Sequence, residues 1–198
     1  MSEVLRKFEP VFCADNDWQA NACVNWSNDP LEIYATGYKE AGDRLVEFVL
    51  TKAREQDFLI YPIAFLYRQY IELRLKEIIR AGLILLEEGT DFPKHHDIWK
   101  LWSDAKKIAV KAFENEGDPP DLKYAEHVIK EFSGIDPDSF SFRYPTTKQG
   151  DNTLDGVTHI NIRRLAMHVE ELFKELESLS TGISAYRDWQ REMKSSCY

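Results

Sequence analysis

Ten consecutive residues, Phe58-Leu59-Ile60-Tyr61-Pro62-Ile63-Ala64-Phe65-Leu66-Tyr67, carry no charge, and the chain runs straight on into Arg68-Gln69-Tyr70-Ile71-Glu72-Leu73-Arg74-Leu75-Lys76. The uncharged run is far short of the roughly 20 residues that span a bilayer. Wound as a helix it is apolar on every side, the pattern of a helix enclosed by neighbours. The sequence therefore predicts a helix over about 58–86, ended by Gly89, as the most buried element. Pro62 is tolerable only near its start or at a kink. The rest of the chain must supply the cover.

Five further segments are available for that. Asp29 as N-cap, Pro30 at the first helical position and Glu32 in the first turn open a helix that runs to about Ala53. His95-His96-Asp97 precede Ile98, Trp99, Leu101, Trp102, Ala105, Ile108, Ala109 and Phe113, a helical stripe. Asp118-Pro119-Pro120-Asp121 opens another helix, carrying Leu122, Ala125, Val128, Ile129 and Phe132 and stopping at Gly134. From Thr158, Ile162, Leu165, Val169, Leu172, Leu176 and Leu179 alternate three and four apart, the seam of a long bundle helix. A last helix is expected over about 181–194, with Ile183, Tyr186 and Trp189.

Two stretches break the pattern. Residues 1–28 hold Phe8, Phe12, Trp18 and Trp26 with no sustained period, and read as an irregular arm whose aromatics pack onto the body. In 135–156, Phe140, Phe142 and Tyr144 alternate with polar residues before a turn-rich Lys148–Asn152, which predicts a short extended segment or hairpin near 139–153. No internal repeat or linker separates two domains. The reading is one all-α domain over 1–198: arm 1–28, bundle core 29–179 and C-terminal helix 180–198.

With 25 basic against 34 acidic residues, the net charge is −9. That balance disfavours RNA as a partner, because phosphate binding usually shows a basic patch; RNA would need a local groove, a second subunit or a basic partner. Cys13, Cys23 and Cys197 are sparse and lack CxxC spacing, which fits a reducing cytoplasm, and the first residues lack a signal-peptide pattern. No glycine-rich phosphate loop occurs, so no nucleotide cofactor is expected. His95-His96-Asp97 has no further ligand at metal spacing, so no metal is expected either, and a helix cap explains Asp97.

The charges of the central helix are the most informative. Arg68, Glu72 and Lys76 are four apart and share a face of an otherwise enclosed helix, where an unpaired charge costs several kcal/mol. Partners are expected in His96, Asp97 and Arg143. Arg68, Glu72, His96, Asp97 and Arg143 make either a polar binding pocket or a satisfied salt-bridge cluster that fixes helix register.

Tyr-Pro-x3-Leu-Tyr-Arg-x3-Glu-Leu-x-Leu-Lys from Tyr61, His-Asp-x3-Leu-Trp from His96 and Phe-Arg-Tyr-Pro from Phe142 resemble bacterial proteins of the HEPN superfamily over about residues 58–175. The superfamily comprises small all-α domains of prokaryotic toxin–antitoxin and antiviral loci. The resemblance implies an antiparallel helical bundle, a HEPN-like four-helix core with flanking helices, that commonly dimerises. Catalytic members are metal-independent ribonucleases with Arg, four to six residues, then His on a late helix. Arg163 and His168 match, although Arg164 follows where those enzymes tend to carry a polar, often amide, residue. A surface histidine at a bundle edge is the plainer account of His168.

Two functions follow. The preferred one is a HEPN-like binding or assembly protein of a defence or toxin–antitoxin system, acting in the cytoplasm as a homodimer or with a protein partner and without a membrane. The alternative is a metal-independent endoribonuclease using Arg163 and His168 across a dimer.

Overall fold

The computed structural model describes residues 10–27, 29–114 and 120–196. It divides into two compact units, one ending at Pro30 and one beginning at Leu31. In the first, the described residues are irregular apart from a single 3-10 turn at Trp18–Ala20. Asn21 holds this stretch together, accepting from the Asp15 amide through its side-chain oxygen and donating to the Asp15 carbonyl. Phe12, Trp18 and Trp26 are not buried within this unit. Phe8 falls outside the described residues.

Among the described residues the second unit is all-α: α1 (Pro30–Lys52), α2 (Gln56–Leu85), α3 (Ile98–Ala112), α4 (Lys123–Ile135) and α5 (Ile162–Ser196). α2 is the buried centre. Its enclosed stretch begins later than the apolar run suggests, since Phe58 and Tyr61 are exposed and full burial starts at Ile63, with Phe65 and Leu66 half-buried. The exposed first turns also explain how Pro62 is accommodated, because the carbonyl it leaves without a helical partner belongs to Phe58. The helix stops at Leu85, four residues before Gly89: Glu87, in the left-handed region at φ 58°, donates to Ile84, and Glu88 donates to Leu83. This is a Schellman cap built without glycine.

α5 lies alongside α2 in one direction and one register. Tyr70 meets Phe173, Arg74 meets Glu177 and Glu77 meets Ser180, each pair 103 residues apart. α3 also runs parallel to α2, because the connection from Leu86 to Asp97 turns back along it. Phe92 lies by Lys76 and His96 by Glu72, after which α3 descends until Ile108 meets Gly82. α4 runs antiparallel to α5, with Ala125 beside Glu175 at one end and Ile135 bordering the same groove as Ile160 at the other. α1 packs on this assembly through a buried stripe that includes Ala35, Gly42, Val46 and Val49. There Gly42 sits under the Tyr67 ring, Tyr38 meets Phe65 edge-on, and Lys39 bonds Glu170.

The expected break between a helix ending near Leu179 and another starting near Thr181 is corrected: α5 is one helix of 35 residues. Leu179 and Ile183 continue the buried stripe across it. Gly182 lets the Phe113 ring approach the helix closely, and that packing outweighs the roughly 1 kcal/mol that glycine costs a helix interior.

Between α4 and α5, residues 136–161 form turns, with no strand among the described residues. One antiparallel bridge joins Thr146 and Asn152, and Thr147 donates to the Asp151 carbonyl at 2.8 Å, closing a hairpin-like turn where one was expected. Phe142 is the buried anchor of this segment, and Phe140 stacks on Tyr144.

Candidate functional site

The polar residues of α2 assemble into a closed cluster. Arg68 is fully buried and donates from Nη1 to Glu72 Oε2 at 3.2 Å. Its Nε donates to the Asp136 carbonyl at 3.1 Å and its Nη2 to the His96 carbonyl at 2.6 Å. Glu72 Oε1 receives Lys76 Nζ and meets His96 Nδ1, both at 2.8 Å. Asp97 stands next to the cluster and caps α3, accepting from the Lys100 amide. Arg143 does not join. It donates to the Ser139 carbonyl at 2.5 Å and lies over the Phe65 and Tyr144 rings, which corrects its expected place.

Burial works against the ionised form of Glu72, but the hydrogen bonds from Lys76 and His96 and the charges of Lys76 and Arg68 outweigh it and hold its pKa below the usual carboxylate value. Burial pulls Arg68 below the usual guanidinium value, against the pull of Glu72. None of the cavities described below reaches Arg68 or Glu72. The cluster joins α2, the start of α3 and the end of α4, so its chemistry is that of a register lock.

Asp136 is the member that sequence reasoning missed. It is fully buried, and its Oδ1 accepts from the Phe140 and Ser141 amides at 2.6 and 2.8 Å. An Asp-Pro pair just after a helix was the available signal, since such carboxylates commonly cap the turn that follows. A second ionic cluster was also missed. Arg74 pairs with Glu77 and Glu177, and Ser180 donates to Glu77, tying α2 to α5.

Arg163 and His168 both border one groove, over α1 and α5, but leave the helix in different directions. Five residues on a helix rotate side chains by about 140°. Arg164, one turn before His168, shares its side instead. His168 Nδ1 meets the Tyr124 hydroxyl at 2.8 Å, the two rings stack at 22°, and the His127 ring stands 6.5 Å away. Burial, then the charges of Glu171 and Glu175, raise the Tyr124 pKa, so this phenol stays protonated. Tyr124 and His127 were not singled out in the sequence, although their three-residue spacing beside the Ala125–Val128 stripe places them together at the edge of α4.

Two grooves flank this ridge. The inner one, of about 410 Å³, lies between α4, α5 and the 136–161 segment. Val128, Phe132, Ile135, Phe142, Val157, Ile160 and Leu165 line it, with His127, Glu131, Asn161, Arg164 and His168 as its polar groups. The outer groove lies over α1 and α5. It sets Arg163 and Arg164 among Asp43, Glu47, Glu170 and Glu171, with Val46, Leu50, Ala166 and Met167 between. Neither Arg163 nor Arg164 has an ion-pair partner among the described residues.

Among the described residues no group of three or more His, Cys, Asp or Glu is placed to hold a metal ion, and no helix is long and apolar enough to cross a membrane. Cys13 and Cys23 are free and exposed. No protein-family model, curated protein or solved structure matches the chain.

Proposed function

We propose that the protein is a HEPN-like helical assembly module that pairs with a second copy of itself through the outer groove over α1 and α5. The observation that carries this reading is the composition of that face. Exposed Leu50 and Met167 lie beside unpaired Arg163 and the carboxylates of Glu47, Glu170 and Glu171. A two-fold contact sets one patch against its own copy, so a face carrying both signs of charge around apolar residues is self-complementary. The acidic setting of Arg163 favours a protein partner over a polyphosphate backbone. The family resemblance adds the setting: the cytoplasm, in a prokaryotic defence or toxin–antitoxin system. Light scattering on the full chain tests the pairing. Twice the 23.1 kDa chain mass is expected, falling to one chain in Met167→Asp with unchanged helicity. A wild-type monomer at high concentration, or a dimer unaffected by Met167→Asp, rejects it.

One observation favours the second reading, a metal-independent endoribonuclease. His168 has a hydrogen-bonded Nδ1 and no partner on Nε2 among the described residues, and it borders the outer groove with unpaired Arg163 and Arg164. An imidazole so held can move a proton while a guanidinium binds a phosphate oxygen. In that reading Arg163 and His168 act across the dimer, and RNA cleavage in the presence of chelator is the test.

A further inference from the structure

We propose that the inner groove is a binding site for a small apolar molecule carrying one carboxylate, its apolar part seated on Phe132, Phe142 and Leu165 and its anion on Arg164. The proposal does not rest on the assembly reading, although Arg164 and His168 border both grooves.

The groove's size and lining come first. About 410 Å³ lies within the roughly 300–1,000 Å³ of small-molecule sites, which are typically apolar with a few convergent polar groups. Phe142 is itself buried and anchors the irregular segment, so the wall facing α4 and α5 is fixed by the fold.

Charge then selects the head group. In a chain of net charge −9, half of the ten described arginines, Arg44, Arg54, Arg68, Arg74 and Arg191, each hold a carboxylate. Arg164 holds none among the described residues, yet it stands at the rim of an apolar cavity. A guanidinium there offers a planar two-pronged donor that a carboxylate fits, and the bond strengthens when an apolar body excludes water around it. His127 and His168 add ring nitrogens to the same rim. Glu131, the one carboxylate of the lining, repels a second negative charge, so a single anion matches better than a di- or polyanion. The net negative charge also opposes non-specific uptake of any anion, which makes saturable binding a specific signal.

Calorimetry on the full chain, with probes below their micellar concentrations, tests this. Decanoate is expected to bind at one site about tenfold more tightly than decanol, and decyltrimethylammonium not at all. Arg164→Gln should reduce decanoate affinity to that of decanol. Lys130→Gln, which removes an equal charge from the exposed part of α4, should leave it unchanged. Val157→Asp should weaken both decanoate and decanol, with circular dichroism confirming that the variant folds. Absence of decanoate binding overturns the proposal. So does equal affinity for decanoate and decanol, or full decanoate affinity in Arg164→Gln.

Discussion

The guanidinium of Arg68 donates from Nε to the main-chain oxygen of Asp136, 68 residues further along the chain, at 3.1 Å. The same group reaches the His96 carbonyl and the Glu72 carboxylate, so one buried cation holds the middle of α2, the approach to α3 and the exit from α4. Removing Glu72 leaves the buried Arg68 cation with carbonyl partners only, and removing Arg68 strips one cation from the buried Glu72 and frees the Asp136 and His96 carbonyls it bonds.

Truncation of either partner is therefore expected to destabilise strongly. Arg68→Ala and Glu72→Ala should each cost about 3–5 kcal/mol, the range for breaking a buried ion pair. The double mutant should cost less than the sum of the two. Denaturant melts of the three variants provide the cycle, and wild-type stability in both single mutants would show that the cluster is not a lock.

Acid should weaken the same cluster. Glu72 has a folded-state pKa below its ordinary value of 4.5, so its ionised form stabilises the fold above that pH. That contribution is lost as pH falls through the folded-state value. Glu72→Gln should be less stable than wild type at pH 7, with a flatter decline below about pH 4.5. Parallel acid limbs for the two proteins in thermal melts would contradict it.

Glu175 has the opposite sign. Burial, then Asp121 and Glu171, raise its pKa, while the Ala125 amide that it accepts pulls it down. The ionised form therefore costs stability above its folded-state value. Glu175→Gln keeps an acceptor for Ala125 and should be more stable than wild type at neutral pH, with the gain fading in acid. Melting temperatures at pH 7 and pH 4 check both halves.

The helical glycines separate close packing from propensity. A Cβ at Gly82 would lie 2.1 Å from Ile108 Cγ2, whereas Gly37 has nothing within 4 Å. Gly37→Ala should stabilise by about 0.5–1 kcal/mol through helix propensity. Gly82→Ala should destabilise by about 1–3 kcal/mol through overpacking against α3. At Ala53, φ is 50°, so Ala53→Gly should be neutral or stabilising. Chemical denaturation ranks all three.

For the ribonuclease reading, RNA cleavage at low salt with chelator present should disappear in both Arg163→Ala and His168→Ala. Arg163 is exposed and His168 half-buried beside the core stripe, so both variants should keep wild-type helicity. Cleavage that survives both substitutions removes this pair from the reaction.

The helices were legible because each carries a local signal. Pro30 opens α1, Asp97 caps α3, and the Ile162–Leu179 stripe repeats at helical spacing, all within a few residues of chain. The pairing of Arg68 with Glu72 was legible for the same reason, being one helical turn long. The continuation of α5 through Thr181–Gly182 was not, because Phe113 comes from another helix to cover it. Nor was the exposure of Phe58, since an apolar run does not say how far its neighbours extend along it.

The sequence by itself determined that this chain is a helical bundle around α2, because hydrophobic period and capping chemistry are properties of neighbouring residues. Only the tertiary structure decided that α2, α3 and α5 run the same way, that Asp136 rather than Arg143 completes the Arg68 cluster, and that Arg164 rather than Arg163 reaches the inner groove with His127 and Phe142. Each of these is set by the route of a connection, 86–97 or 136–161, and by which side chains that route brings within a few ångströms. Local periodicity carries no record of such distances.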